Sequence, residues 1–233
     1  MSPTDGVIRE AWELYKAHWR HLLPISFVVY LATAVIGALL TAVLTWLGAL
    51  IAAVISLVAL FWVQGALATA VDDIRDGRAD LSLGETFARV RPQLGSIVVA
   101  GVLAGIAIFL GLLLLIIPGL VLMTWWLLII PVIALERASA GAAFGRSRGL
   151  VRGYGWNVFG VIVLTILLLL GFEVVLAIVL TPLADWLRNS VPSVVSGTLT
   201  TPFIALVWTL LYLRLRETKS SPAAAAPSAV AGT

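Results

Sequence analysis

One carboxylate lies inside a long apolar run, where a charge is costly. Glu173 stands in the segment Leu170-Gly171-Phe172-Glu173-Val174-Val175. No Lys or Arg lies within the apolar runs, so we expect this acid either to be neutral or to face a wet cavity. Six residues are candidate hydrogen-bond partners: Gln64, Thr124, Trp125, Trp126, Thr200 and Thr201. The position predicts an intramembrane proton or ion site; the alternative is a neutral acid hydrogen-bonded between helices or reaching toward the membrane surface.

A basic segment between two apolar runs is the second candidate site. Arg146, Arg148 and Arg152 precede the aromatic residues Tyr154 and Trp156. Guanidinium groups match phosphate geometry, and basic clusters beside a span attract anionic lipid. The segment therefore predicts contacts with lipid headgroups. The alternative is an anchor that only sets topology, followed by an aromatic belt.

The remaining candidates for chemistry are weaker. Glu136 ends an apolar run and is expected to pair with a nearby arginine such as Arg146 in a structural role. His18 and His21 are three residues apart, but snorkelling interfacial histidines explain them better than a metal site. The chain has no cysteine, and it lacks phosphate-loop, zinc-protease and serine-hydrolase motifs. We therefore predict no catalytic residue, no metal, no cofactor and a protein that is not an enzyme.

Composition decides the fold class. Of 233 residues, 61% are hydrophobic and only 12% are charged, and the mean hydropathy is +1.08. A soluble domain averages about a quarter charged residues. The apolar runs are continuous rather than alternating, which favours helices over a membrane barrel. We predict an all-α, polytopic transmembrane bundle with six spans: 22–44, 49–71, 94–117, 120–135, 158–180 and 194–213.

The spans are predicted to be joined by short turns on one side and longer charged segments on the other. Residues 45–48 are an uncharged turn, Pro118 and Gly119 make a second turn, and Pro131 is expected to kink the fourth span. An alternative reading makes 111–135 a re-entrant hairpin. Three short interfacial helices are predicted: one near the N-terminus, one that Ser82 starts and Pro92 closes, and one in the basic segment. Residues 1–216 form one domain, and 217–233 are expected to be a disordered tail.

The distribution of cations predicts the orientation. Fourteen of the 15 Lys and Arg residues fall on one side of the predicted spans, and only Arg188 falls on the other. Under the positive-inside rule both termini are cytoplasmic, in a multi-pass protein of the inner, or plasma, membrane.

Three segments share an aromatic residue with a cation one helical turn later, each followed by two spans. They are Trp12-x-x-x-Lys16, Phe87-x-x-x-Arg91 and Phe144-x-x-x-Arg148. We interpret them as a threefold repeat of an interfacial helix and a helical hairpin. The alternative is that interfacial helices in general carry such residues at this spacing.

The stretch from 113 to 156 carries a family resemblance. The residues that carry it are Leu114-Leu115-Ile116-Ile117-Pro118-Gly119, Pro131-Val132, Glu136, Arg146-Ser147 and Gly153-x-x-Trp156. The chain resembles the membrane domain fused to some glycerophosphoryl diester phosphodiesterases, and related stand-alone bacterial inner-membrane proteins. The resemblance implies a six-helix membrane protein without the phosphodiesterase reaction, because the soluble catalytic barrel has no counterpart here.

We therefore predict a non-enzymatic scaffold or accessory protein that contacts lipids or proteins at the cytoplasmic face. The alternative is a small transporter or channel that uses Glu173. The expected partners are membrane lipids, including anionic ones, and a membrane protein or a second copy of the chain, but not nucleic acid. The pair Gly101 and Gly105 suits close helix packing, more often within one chain than between chains.

Overall fold

The computed structural model describes residues 3–75, 81–181 and 185–220, without the side chains of 185–191. Every regular element in these ranges is helical, as predicted. The helices are α1 (Val7–Arg75), α2 (Leu83–Val90), α3 (Leu94–Leu114), α4 (Ile116–Trp126), α5 (Ile129–Glu136), α6 (Ala140–Val151), α7 (Gly155–Leu180) and α8 (Asp185–Ser220), with a 3-10 turn at Arg91–Gln93.

Five helical stretches within the described residues are long and apolar enough to cross a bilayer. They are Val7–Arg75, Leu83–Leu114, Ile116–Glu136, Gly155–Leu180 and Pro192–Ser220. The chain is thus a membrane protein by the length and composition of its helices. Helix α8 continues through Ser220, so four residues of the predicted tail are helical; residues 221–233 lie outside the described ranges.

Helix α1 is a hairpin of two arms. Thr45 has φ 52° and ψ −125°, a left-handed conformation that reverses the chain. Gly37 in the first arm consequently lies beside Ala52 in the second, and a Cβ on Gly48 would come within 1.9 Å of the Leu40 carbonyl oxygen. The predicted turn at 45–48 is therefore observed, and it requires glycine at position 48.

The reversal between α3 and α4 lies at Leu115, so the predicted turn at Pro118 and Gly119 is wrong by three residues. Leu115 is extended, with φ −153° and ψ 124°, and α4 begins at Ile116. Pro118 falls in the first turn of α4, where its missing N–H costs no hydrogen bond. Gly119 instead allows close packing, because a Cβ there would come within 2.5 Å of the Leu112 backbone nitrogen.

The predicted fourth span, 120–135, is two helices with a break at Leu127 and Leu128. Pro131 explains the break, because it has no N–H for the carbonyl of Leu127 and its ring crowds that carbonyl. The effect of Pro131 is thus a break about one turn before the proline.

The local sequence accounts for where helix α2 begins and ends. Ser82 caps it, and Glu85 returns a hydrogen bond to the Ser82 backbone, which completes a capping box. The helix ends at Val90, and Pro92 lies in the 3-10 turn that follows. A short helix is therefore present where the sequence predicted one after Ser82; its position at a membrane interface stays a prediction.

Packing is dense at one end of the bundle and loose at the other. The dense end, which we call the charged end, buries Leu67, Val71, Ile133, Leu211 and Leu215 almost completely. At the far end, apolar side chains are open: Val43 is 77% exposed, Leu114 79% and Ile117 76%. Contiguous apolar surface of this kind suits hydrocarbon, not water.

The first prediction concerns Gly119. We expect Gly119→Ala to destabilise the protein by about 1–3 kcal/mol, because the new Cβ meets the Leu112 backbone nitrogen, which cannot move aside, as well as the Leu112 side chain. Thermal unfolding in detergent, followed by circular dichroism, measures the change. Gly105→Ala is the matched control: its Cβ meets open space, and a helix-interior Gly→Ala change stabilises by about 0.5–1 kcal/mol. A Gly119→Ala melting temperature at or above that of the wild type would contradict this account.

Candidate functional site

Glu173 bonds to a residue that the sequence did not single out. The hydroxyl of Ser196, on α8, donates a hydrogen bond to Glu173 Oε1. Three of the predicted partners use their hydroxyls elsewhere: Thr124 and Thr200 each bond a carbonyl of their own helix, and Thr201 pairs with Tyr30. Glu173 itself is exposed on α7. It therefore joins the two last long helices at the bundle surface rather than in the interior.

A second polar cluster closes the end of α5. Arg146 donates from Nε to both oxygens of Glu136, at 3.0 and 2.9 Å, and from Nη2 at 2.9 Å. The buried Tyr212 hydroxyl donates to Glu136 Oε1 at 2.8 Å, and Arg216 lies 3.4 Å from that hydroxyl. Hydrogen bonding to Glu136 raises the pKa of Arg146. The predicted pair of Glu136 and Arg146 is confirmed, so the Arg146 guanidinium is held by protein.

Ser147 supplies hydrogen bonds to the backbone at the break between α4 and α5. Its hydroxyl donates to the Trp125 carbonyl at 2.7 Å and accepts from the Leu128 N–H at 3.3 Å. Both groups would otherwise lack intrahelical partners. The guanidinium of the next residue, Arg148, lies 4.1 Å from the centroid of the Trp125 ring. Helix α6 is thus docked onto the break by consecutive residues, a role that no local sequence signal indicated.

The rest of the predicted headgroup segment divides into two kinds of residue. The carbonyl of Arg152 accepts from Lys219 Nζ at 2.9 Å, and that ammonium lies 5.7 Å from the Tyr154 ring centroid. The side chain of Arg152 is exposed, as is Trp156 at 86%. Of the five predicted lipid contacts, therefore, Arg146, Arg148 and Tyr154 make contacts within the protein, while Arg152 and Trp156 are exposed, although the Trp156 ring meets Phe159 edge-on at 6.1 Å and 83°.

The last turns of α8 connect all parts of the charged end. Arg214 pairs with Glu10 and donates to the Asp5 carbonyl at 2.6 Å. Glu217 pairs with Arg75 at 3.1 Å. Together with Tyr212 and Lys219, these contacts tie the first helical arm, the end of α1, α5 and α6 to one helix.

The three aromatic residues of the repeated segments make equivalent contacts. Each meets, edge-on, an aromatic ring of another long helix: Trp12 meets Phe203 at 6.3 Å and 78°, Phe87 meets Trp62 at 5.2 Å and 75°, and Phe144 meets Trp126 at 4.9 Å and 82°. We call these the three aromatic contacts. The partner ring of Phe87 lies in α1, and that of Phe144 lies at the end of α4, whereas Trp12 contacts α8.

A groove of about 1140 Å³ lies between the first arm of α1, α7 and α8. Its apolar walls include Val161, Leu164, Leu168, Phe172 and Phe203. At one end it is lined by polar residues, namely Thr4, Asp5, Arg9 and Asn157. The groove could not be predicted from the sequence, because its walls come from three separate parts of the chain.

The described residues contain no cluster of three His, Asp or Glu side chains that could hold a metal ion. His18 Nδ1 contacts the Leu14 carbonyl at 3.2 Å, within its own helix. His18 also has non-helical dihedral angles, with φ −120° and ψ 19°, and therefore marks a bend in the first arm.

No protein-family model matches the chain, and comparisons with curated proteins and with solved structures find no match. The resemblance to the membrane domain of glycerophosphoryl diester phosphodiesterases therefore stays a prediction.

The second prediction concerns the repair of the helix break. Ser147→Ala leaves the buried Leu128 N–H and the Trp125 carbonyl without the hydroxyl, which we expect to cost about 1–3 kcal/mol. Hydrogen exchange of the amides around residue 128 should accelerate accordingly. Thr181→Ala removes an exposed hydroxyl that bonds its own helix and serves as the control. Unchanged exchange in the Ser147 variant would mean that the hydroxyl does not hold the break.

Proposed function

We propose that the chain is a non-enzymatic membrane accessory or scaffold protein that contacts anionic lipid at its charged end. Exposed arginines at the ends of the short connecting segments support this. Arg91 follows α2, Arg137 follows α5 and Arg152 follows α6, and each side chain is exposed. No hydrogen bond or ion pair holds these three guanidinium groups among the described residues. Charges placed in this way suit phosphate groups at a membrane surface.

The acids of the charged end support a structural rather than a catalytic role. Glu10, Glu136 and Glu217 each face an arginine. A carboxylate held in an ion pair is poorly placed to act as a general base or to bind a metal ion. This distribution favours a protein that binds at its surface over an enzyme.

The topology that goes with this function has six spans. They are the two arms of α1, then α3, then α4 with α5, then α7 and α8. Both termini and the three short segments lie on the cytoplasmic side of the inner membrane, in agreement with the positive-inside rule. The three aromatic contacts support the threefold repeat, because interfacial helices that were merely similar in composition would not each meet a helix of another segment with an edge-on ring pair. The proposal retains the family resemblance.

The third prediction tests the lipid contact. In reconstituted membranes, spin-labelled phosphatidylglycerol should be immobilised by the wild type more than spin-labelled phosphatidylcholine. Each cation near the surface contributes about 1 kcal/mol, or a factor of about five, to association with anionic lipid. We expect the preference to fall several-fold in the variant Arg91→Gln, Arg137→Gln, Arg152→Gln, and to weaken with salt in the wild type.

A variant with lysine at the same three positions is the matched control, because it keeps the charge but not the guanidinium fork. It should keep most of the preference. Equal immobilisation of the two lipids by the wild type would remove the support for this function.

The second candidate function is proton or cation transport through Glu173. Its hydrogen bond to Ser196 joins two long helices, as a gating contact would. Against it, Glu173 lies 18 residues, or about 27 Å, along α7 from Gly155. In a hydrocarbon core about 30 Å thick, that places the carboxylate near the opposite surface, where water can reach it. A structural acid at the far interface is the simpler reading.

The fourth prediction separates these readings. If Glu173 carries protons, proteoliposomes containing the wild type should dissipate a pH gradient, and Glu173→Gln should abolish that flux. Glu85→Gln, at the capping box of α2, is a control that should leave flux unchanged. Equal dye responses from empty, wild-type and Glu173→Gln vesicles would exclude transport by this residue.

A further inference from the structure

The groove between the first arm of α1, α7 and α8 has the dimensions of one membrane leaflet. It runs along α7 from Asn157 to Phe172, which is 15 residues or about 22 Å. Half of a bilayer with its headgroups, about 40–45 Å thick in total, is about 20–22 Å. The groove is open along its side, because its lining residues Leu164 and Leu168 are 48% and 46% exposed. A molecule within one leaflet could therefore enter it laterally.

The groove changes from polar to apolar along its length. Thr4, Asp5, Arg9 and Asn157 lie at the charged end, and hydrocarbon and aromatic side chains continue inward. Arg9 is exposed, and no ion pair or hydrogen bond of its guanidinium is found in the described part of the chain. Its neighbour Asp5 binds Arg214 through the backbone carbonyl. The mouth thus offers a cation where a lipid headgroup would lie.

An aromatic wall keeps the groove open. Trp12 and Tyr15 stack at 5.8 Å and 8°, and Phe203 meets Tyr15 edge-on at 6.2 Å and 85°. The Tyr15 hydroxyl donates to the Leu199 carbonyl at 3.0 Å. This bond fixes the wall to α8, so the groove is a formed feature rather than a gap that the first arm could fill by rotating.

We propose that the groove binds one anionic glycerophospholipid, with an acyl chain along α7 and the phosphate at Arg9. An acyl chain needs no polar partners along the apolar wall, and a headgroup phosphate matches the cation at the polar end of the groove. The inference deepens the proposed function by adding one specific, retained lipid to the general contact of the exposed arginines.

The fifth prediction fills the groove. Gly160 lines it, and a Cβ at this position meets open space, so Gly160→Leu should fold normally while occupying the acyl path. Native mass spectrometry of detergent-purified protein incubated with phosphatidylglycerol should show one retained lipid on the wild type and at least tenfold less on this variant. Gly171→Leu is the matched control on the same helix, because its Cβ also meets open space but Gly171 is outside the groove. Equal retention by the two variants and the wild type would overturn the proposal.

The same measurement tests whether Arg9, at the polar end of the groove, binds the lipid phosphate. Arg9→Gln should abolish the preference for phosphatidylglycerol over phosphatidylcholine, while Arg20→Gln, an exposed arginine of the same arm that does not line the groove, should keep it. Retention that favours neither lipid in the wild type would contradict a phosphate at Arg9.

A single cysteine tests the alternative occupant. The chain has no native cysteine, so Gly160→Cys introduces the one thiol. Rapid disulfide-linked dimer formation in the membrane would show that a second copy occupies the groove and would overturn the proposal; a thiol that stays monomeric and is protected by added phosphatidylglycerol supports it.

Different results would contradict the groove inference and the proposed function. If only the groove inference is wrong, the spin-label preference still depends on Arg91, Arg137 and Arg152, but Gly160→Leu retains lipid like the wild type. If only the general contact is wrong, the spin-label preference is unchanged in the variant of Arg91, Arg137 and Arg152, while the Gly160 and Gly171 variants still differ in lipid retention.

Discussion

The bond between Glu136 and Arg146 determines how the charged end is assembled. Glu136 ends α5, a position where a helix C-terminus disfavours an anion, so the carboxylate needs a cation and donors. Arg146 supplies a bidentate contact from α6, and the buried Tyr212 adds a hydroxyl from α8. Because this bond positions α6, it also places Ser147 on the helix break. A local electrostatic requirement thus sets the arrangement of three helices.

The positions where the helices break are constrained by a second requirement: polar backbone groups in an apolar environment need hydrogen-bond partners. At Thr45 and Leu115 the chain reverses at the loosely packed end, and glycine nearby allows the two helices to approach. The break at Leu127 and Leu128 lies instead within a stretch long enough to span the membrane. There a side chain from another helix, Ser147, supplies the missing hydrogen bonds.

Local sequence patterns predicted the helices and the turn at 45–48, but not the turn between α3 and α4. The predicted span 158–180 ends where α7 ends, at Leu180, because apolar length and the following proline are both visible in sequence. Pro118 and Gly119 were wrongly predicted to be a turn, since a proline in the first turn of a helix resembles a turn signal. A kink was predicted from Pro131, but the hydroxyl that completes the hydrogen bonds at the break could not be, because Ser147 lies 19 residues after Leu128.

The candidate sites show the same division between local and long-range information. The pairing of Glu136 with Arg146 was predictable from opposite charges ten residues apart. The partner of Glu173 was not, because Ser196 is one of several hydroxyl residues in the last apolar run and only the packing of α7 on α8 selects it. The groove could not be predicted at all, since an apolar residue that lines it cannot be distinguished by sequence from one that packs against another helix.

The groove lies at one of the three aromatic contacts. Of these, the pair of Trp12 and Phe203 has the widest ring separation, 6.3 Å against 5.2 and 4.9 Å for the others. Here a second aromatic residue, Tyr15, stacks beside Trp12 and also meets Phe203. All three rings line the groove, so the widest contact is the one that borders it. Under the proposed repeat, the segment that departs most from the other two is therefore the one that forms a groove wall.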